Sequence, residues 1–286
     1  MRLNINVASL NVYQNYKKQI GLQSSALEKI SSGNKINSAK DNPNGLGKSE
    51  TLRMQIRGLQ SAQRNLQDSA SMVQTFDSAL DSVGNNLVRI RELTVQAGNE
   101  TLTDADRQVI QQEIEQLKSS IDFTANNTEF NGVNLIGNEH VYSNDNPLRE
   151  KTTVGPNVGE SMDIPVFNVT TSILGDKDGN KVKDIDITNT ENIDKSLSAL
   201  DAAIIDVNRC RSKYGAIQSR MESTAECMDS NVENTTKAYS SVKDADLAKE
   251  LINHSQATIL LEASMAMLAQ TNRLPSEALS ILERVK

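Results

Sequence analysis

The feature that most constrains the fold of this chain is an apolar residue at every seventh position over a long stretch. The positions are Leu52, Leu59, Leu66, Val73, Leu80 and Leu87. A sustained seven-residue spacing favours a long helix that supercoils with a partner helix. We therefore predict one helix from Glu50 to about Ala97, where Gly98 and Asn99 provide a stop signal.

A second row with the same spacing lies in the C-terminal third and begins at Ile193. It continues through Leu200, Val207, Tyr214, Met221 and Met228. Between the two rows, Thr103 and Asp106 match a capping box and predict another helix start. Because little else in the chain can bury these rows, we expect the long helices to pack on each other. The predicted fold is mainly α, an elongated antiparallel coiled-coil or helix bundle with its N- and C-termini paired at one end.

Residues 139–192 differ from the rest of the chain and contain three of its five prolines. The segments MDIPVFNVTTSI and KVKDIDI are rich in β-branched residues, so we expect a small β element with loops in the middle. DKDGNKVKD is interpreted as a hairpin turn, because its glycine stands at the fourth position rather than the sixth position of a calcium loop. Just before this region, Asn131-Gly132 predicts a tight turn.

A polar segment precedes the first long helix. Residues 31–50 read SSGNKINSAKDNPNGLGKSE and contain three glycines. Asn and Gly favour turns, and Pro43 is expected to interrupt helix. We interpret residues 34–49 as a joint between an end segment and the long helix.

Both ends of the chain carry short apolar patterns that are only weakly heptadic. The positions are Leu10, Tyr13, Ile20 and Leu27 near the N-terminus, and Leu251, Leu261, Met265 and Leu268 near the C-terminus. The C-terminal pattern is expected to break near Arg273-Leu274-Pro275. With few neighbours in the same chain, such segments bury too little apolar area to offset their ordering entropy. We expect neighbouring copies to cover them head-to-tail, which produces an open helical polymer.

Composition excludes several classes of function. The net charge is −7 with both signs mixed and no basic block, which argues against nucleic-acid binding. The longest apolar runs are only a few residues long, so no membrane insertion is predicted. The N-terminus lacks the continuous apolar stretch of a usual signal peptide. Aromatic residues make up 3% and Trp is absent, which suits helices that meet along narrow seams better than a compact globule.

The sequence contains no recognisable catalytic or metal-binding constellation. Neither His140 nor His254 belongs to a metalloprotease motif, and GLGKS at 45–49 lacks the full phosphate-loop pattern. Cys210 and Cys227 lie in one predicted helix about 25 Å apart, too far for a disulfide. We therefore predict no enzyme activity, no cofactor and no metal, and interpret the chain as a self-assembling structural subunit.

A series of separate motifs resembles the bacterial flagellin family. In chain order they are MRLNINVASLN, the polar segment with its helix entry TLRMQIRGLQSAQRN, LVRIRELTVQAGN, TEFNGVNLIG, SRME, VKDADLAKEL and ASMAMLAQTNRLP. They cover residues 1–138 and about 193–275. The resemblance implies terminal helices of an inner tube at 1–33 and 243–286, and the joint at 34–49. It implies a helical shaft at 50–138 and 193–242, and a short variable region at 139–192.

The resemblance also implies a function and partners. The expected role is subunit of the extracellular flagellar filament for motility, exported unfolded and uncleaved through the flagellar type III apparatus. The expected partners are further copies of the chain, an export chaperone, the filament cap protein and the hook–filament junction proteins.

One surface is carried over from the family residue by residue. Animal flagellin-sensing Toll-like receptors contact a patch matched here by Arg89, Ile90, Arg91, Glu92, Leu93 and Gln96. Ile90 also lies on the apolar row, and Arg89 and Glu92 are equally compatible with an assembly-facing or solvated surface. A second acidic contact of the family falls at Ser120, so the match is incomplete there.

Three alternatives stay open at this point. A hook–filament junction protein of the same superfamily is the nearest, because Pro43 resembles the joint of those proteins. A flagellin with an inserted metalloprotease domain is disfavoured, because the middle region is short and lacks the zinc motif. A soluble intracellular coiled-coil scaffold is the third.

Overall fold

The computed structural model describes residues 6–99, 101–134, 136–137, 141, 144, 147–176, 179–189 and 192–284, and the described side chains exclude 278, 279 and 281–284. The helices are α1 (Val7–Ser32), α2 (Pro43–Ala97), α3 (Asp104–Asn127), α4 (Ile193–Lys243) and α5 (Leu247–Arg284). The strands are β1 (Leu148–Thr153) and β2 (Ser161–Val166), and Val182–Asp184 is a short 3-10 helix. The mainly α prediction with a small β element is confirmed. Two compact units form, residues 57–232 and residues 1–56 with 233–286.

The unit of residues 57–232 is built around the two apolar rows. Five of the six members of each row are buried in one core: Leu59, Leu66, Val73, Leu80, Leu87, Leu200, Val207, Tyr214, Met221 and Met228. Polar pairs between α2 and α4 show that the helices run antiparallel, because Gln63 contacts Asp229 and Arg91 contacts Asp201. Between these ends, Arg211 bonds Asp77 at 3.2 Å.

Helix α3 begins as the sequence predicts and packs against this core. The Thr103 hydroxyl accepts from the Asp106 N–H, and the Asp106 carboxylate accepts from the Thr103 N–H. This reciprocal capping box satisfies two backbone donors that a helix start leaves unpaired. Asn131 and Gly132, at φ 51° and 77°, form the predicted tight turn, since Phe130 and Val133 exchange backbone hydrogen bonds across it.

The middle region forms a two-stranded antiparallel sheet in which Leu148 pairs with Val166 and Thr153 with Ser161. Strand β2 buries alternate residues against the core, as the period of a strand requires. A turn follows in which Gly175 and Lys181 form an isolated bridge, in keeping with the predicted hairpin.

The strand expected in KVKDIDI is wrong, because α3 side chains bond its backbone and Val182–Asp184 is 3-10 helical. The buried Lys118 ammonium donates to the carbonyl oxygens of Lys183 (3.1 Å) and Ile185 (2.7 Å). The Gln111 amide bonds the backbone of Ile185 and Ile187. These contacts satisfy the backbone groups that a neighbouring strand would otherwise bond.

Two predicted helix boundaries are also wrong, and both involve proline. Helix α2 starts at Pro43 rather than Glu50, because proline suits the first helical position and the Asn42 side chain accepts from Gly45 N–H at 2.9 Å. Helix α5 does not break near Arg273-Leu274-Pro275 but continues through Pro275. The carbonyl of Thr271, which proline cannot bond, instead accepts from the Asn6 side-chain amide at 2.8 Å.

Candidate functional site

The candidate functional site is the pair of terminal helices, α1 and α5, which pack against each other in the unit of residues 1–56 and 233–286. Asn6 bonds Thr271 at one end, and Lys29 lies 3.8 Å from Glu250 at the other. Midway, the amide nitrogen of Gln23 donates to the hydroxyl of Thr258 at 3.0 Å. Sequence numbers rise along one helix as they fall along the other, so the pair is antiparallel.

The seam between α1 and α5 is narrow. Among the described side chains of the two helices, Ala26 and Ala257 are the ones fully buried, at 4% and 3% exposure. Val12, Tyr16, Leu261 and Leu268 are half-buried, and the direct contacts include hydrogen bonds and the Lys29–Glu250 ion pair. Alanine side chains bury little area and the larger ones are only partly covered, so the seam supplies modest hydrophobic stabilisation.

The large apolar side chains of the pair are exposed instead. On α1 they are Val7, Leu10, Tyr13, Ile20, Leu22 and Leu27; on α5 they are Leu247, Leu251, Ile252, Ile259, Leu260, Met265, Met267 and Leu274. We call this set the outer face. Their exposed fractions run from 40% to 66%. Large exposed apolar surfaces mark interaction sites in folded proteins, and this concentration of exposed apolar side chains indicates one.

Some of the predicted terminal residues belong to the outer face and some do not. Leu10, Tyr13, Ile20, Leu27, Leu251 and Met265 belong to the outer face, whereas Leu261 and Leu268 are half-buried. The sequence pattern missed Val7, Leu22, Ile252 and Ile259, because it follows a single row of residues on each helix. Helix α5 in particular carries apolar residues around much of its circumference. An all-round apolar helix with few charges was the signal for them.

The shaft residues lie in the core described above, apart from Leu52, which is half-buried and belongs to the other unit. Besides the residues of the two seven-residue rows, the core contains Phe76, Val83 and Ile114.

The residues matched to the receptor patch do not all reach the surface. Ile90 and Leu93 are 0% and 2% exposed and pack in the core, whereas Arg89, Arg91, Glu92 and Gln96 are exposed. Buried residues can support this surface from beneath, but they cannot meet a partner without a change in the core.

The arginines of this patch are engaged in ion pairs. Arg89 bonds Glu113 of α3 at 2.9 Å and Glu92 at 3.2 Å, and Arg91 bonds Asp201 of α4 at 2.6 Å. The hydrogen bonds that Arg89 donates to the Glu113 carboxylate raise the pKa of Arg89, and the bond that Arg91 donates to Asp201 raises the pKa of Arg91. Exposed pairs of this kind contribute little to stability. Glu113 was not singled out in the sequence, because only the fold brings α3 beside α2.

Other sites are lacking in the part of the chain that the structure describes. No group of His, Cys, Asp and Glu there could hold a metal ion, and no described helix is long and apolar enough to cross a membrane. Both cysteines are free thiols, Cys210 buried and Cys227 exposed.

These features define the class of a helical structural protein, in which long helices pack in pairs and the terminal helices expose large apolar side chains. Family models agree on the particular family. The bacterial flagellin N-terminal helical region matches residues 3–140, and the bacterial flagellin C-terminal helical region matches residues 197–282. The chain belongs to the bacterial flagellin family.

Individual relatives agree with this assignment. The chain is 37% identical to a flagellin of Bacillus subtilis, with 99% of this chain and all of the relative covered. It is 36% identical to a flagellin of Halalkalibacterium halodurans at the same coverage. A putative flagellar hook-associated protein from Vibrio parahaemolyticus shares the fold, with a TM-score of 0.60 over 71% of this chain and all of that one at 19% identity.

Proposed function

We propose that this chain is the subunit of a flagellar filament and that neighbouring copies cover the outer face of α1 and α5. The observation that carries the proposal is the exposure of many large apolar side chains on both terminal helices, whose fully buried described side chains are the two alanines Ala26 and Ala257. Full burial of one large aliphatic side chain is worth about 1.5–3 kcal/mol. Since the exposed fractions run from 40% to 66%, roughly half of that stabilisation is unused in one chain and becomes available when copies associate.

The domain roles follow the same division. Residues 1–33 and 243–286 form the inner tube, residues 34–49 form the joint, residues 50–138 and 193–242 form the shaft, and residues 139–192 form the short variable region. The two compact units support this proposal in part, because both terminal helices and the joint fall in the unit of residues 1–56 and 233–286, which also includes residues 50–56 and 233–242 of the proposed shaft.

Export and assembly partners complete the proposal. The chain leaves the cell unfolded through the flagellar type III apparatus, held beforehand by an export chaperone at its C-terminal segment. A filament cap protein places it at the growing tip, beyond the hook–filament junction proteins. The exposed apolar side chains of α5 support chaperone binding, since they require cover in the cytoplasm as well as in the filament.

Recognition by the flagellin-sensing Toll-like receptor is a further proposal. The receptor would meet Arg89, Arg91, Glu92 and Gln96, which are exposed, while Ile90 and Leu93 hold the helix from beneath. Receptor signalling by monomeric protein tests this. Arg89→Ala should reduce it, and Lys237→Ala, which also removes an exposed ion-paired cation of a helix, is the control. Equal signalling by both variants contradicts the patch.

Polymerisation tests the central proposal. Leu251→Asp should abolish filaments seen by electron microscopy after seeding, because a charge replaces an apolar contact between copies. Val158→Asp is the matched control, since Val158 is fully exposed in the middle region. Removal of residues 1–30 should likewise give a soluble protein without filaments. Filaments from the truncated chain or from Leu251→Asp would contradict the role of the outer face.

A hook–filament junction protein is the alternative. The match to both flagellin models and the 37% identity to a flagellin favour the filament subunit. Counting copies per flagellum separates the two, because thousands of copies are expected of a filament subunit and about one ring of a junction protein.

A further inference from the structure

Helices α4 and α5 are separated by only three residues, Asp244, Ala245 and Asp246, and none of them is glycine or proline. The start of α5 has a local cause, because the Asp246 carboxylate accepts from two backbone N–H groups in the first turn. The end of α4 has no comparable side-chain cap. Asp244 still donates to the Ser240 carbonyl at 2.9 Å, as in a continuing helix.

The N-terminal joint takes the backbone groups that would extend α4. The Ala245 N–H donates to the Gly33 carbonyl at 2.9 Å, whereas in a continuous helix it would bond the carbonyl four residues earlier. The Lys243 carbonyl accepts from the Lys35 N–H at 2.7 Å, whereas it would accept from Leu247 in a continuous helix. Residues 33–35 therefore compete directly with helix extension.

We propose that this backbone pairing is a two-state switch for the C-terminal chain. When residues 33–35 are paired with residues 243–245, the chain is divided into α4 and α5. When the joint is unpaired, residues 193–284 form one continuous helix.

Within the C-terminal chain the two states are close in hydrogen bonding, since Ala245 N–H and Lys243 C=O have one partner in each, while Lys35 N–H and Gly33 C=O exchange these partners for water when the joint opens. Residues 244–248 also include Ala and Leu, which propagate a helix well. Contacts of α5 with α1, such as Lys29–Glu250, are made only in the divided state and stabilise it relative to the continuous helix.

A consequence for assembly follows, and it rests on the proposed function. Gly33 is the C-cap of α1, held at φ 70°, and it is also the residue that bonds Ala245. The end of α1 and the start of α5 are thus fixed by one backbone contact. The outer face forms as a unit only after the joint has closed within the same chain.

The test compares full-length Lys35→Pro with Lys35→Ala. Proline removes the N–H that bonds Lys243, whereas alanine keeps it and changes only an exposed side chain. Carbon chemical shifts of residues 244–246 should become helical in Lys35→Pro alone. Amide exchange at Leu247 should slow by about tenfold as that N–H gains a helical partner. Equal shifts in the two variants would overturn the switch.

A second variant protects the test against non-specific unfolding. Ala245→Pro cannot continue a helix, so adding it to Lys35→Pro should return residues 244–246 to non-helical shifts. Helical shifts that persist would overturn the assignment. Filament formation is scored separately: a Lys35→Pro chain with the continuous helix that still polymerises contradicts the link to assembly alone.

Discussion

The side-chain amide of Asn6 donates at 2.8 Å to the carbonyl oxygen of Thr271, the acceptor that Pro275 leaves unused four residues later. A proline inside a helix removes one hydrogen bond and normally kinks or ends it. Here a residue from the other end of the chain supplies the missing donor, and α5 continues to Arg284.

Replacement of Asn6 should therefore weaken α5 beyond Thr271. Asn6→Ala leaves the carbonyl without its donor, at a cost of about 1 kcal/mol, and removes the N-cap contact to Ser9 as well. Amide exchange of residues 272–277 in assembled filaments should rise several-fold. Pro275→Ala restores the helical donor, so Asn6→Ala should have less effect on these amides in that background. Equal effects in both backgrounds would refute the compensation.

Lys118 should anchor the middle region to α3. Its ammonium is buried and bonds two carbonyl oxygens and Glu115. Lys118→Met keeps the length but removes the ammonium donor from both carbonyl oxygens, and Ile185 then retains its bond from Gln111 while Lys183 loses this partner, at a cost of about 1–3 kcal/mol. Limited proteolysis near residues 183–187 should accelerate. Lys183→Met, an exposed change in the same segment, is the control, and equal proteolysis of the two variants would speak against the anchor.

A charge in the apolar row should unfold the unit of residues 57–232. Val207 is 1% exposed, so Val207→Asp buries an unpaired carboxylate or forces the core open, and we expect a loss of several kcal/mol in the free energy of unfolding. Ile205→Asp, 65% exposed on the same helix, should change stability little. Denaturant melts followed by circular dichroism measure both, and similar midpoints would exclude the buried row.

The two thiols should differ in reactivity with pH. Burial raises the pKa of Cys210 to about 12, while Cys227 is exposed. The thiolate is the reactive form, so iodoacetamide should label Cys227 and spare Cys210 at pH 8 in folded protein. Because the pKa of Cys210 is higher in the folded protein than in the unfolded chain, this thiol stabilises the fold at pH values below about 9. The contribution is lost as the pH rises from about 9 toward 12. Equal labelling rates at pH 8 would show that Cys210 is accessible.

The sequence predicted the long helices well because a seven-residue repeat has one structural solution over such a length. It predicted the capping box and the Asn131-Gly132 turn for a local reason, since both depend on neighbouring residues only. It missed the continuation past Pro275 and the 3-10 helix at Val182–Asp184. Both depend on side chains far away in sequence, Asn6 in the first case and Lys118 in the second.

The candidate site was predicted in kind but not in detail. Unpartnered apolar residues at both ends indicated contact between copies, and six of the eight named residues lie on the outer face. Single-row periodicity could not show which apolar residues of α5 face α1, because α5 carries apolar residues on several sides, and Leu261 and Leu268 are half-buried while Leu251 and Met265 are exposed. Leu93 is buried in a core to which α3 and α4 also contribute, and the local motif does not contain these helices.

Side chains of α3 bond the peptide groups of residues 171–187. Asp122 accepts from the Thr171 N–H, Gln111 accepts from the Ile187 N–H, and Lys118 donates to the Ile185 carbonyl. Peptide groups are the same whatever side chain follows them. Exposed positions of that segment, such as Lys181, Lys183 and Asp184, can therefore change without loss of these bonds, whereas Leu174, Val182, Ile185 and Ile187 are held by the core as well. The outward surface of the segment can thus diversify while its attachment to α3 is retained.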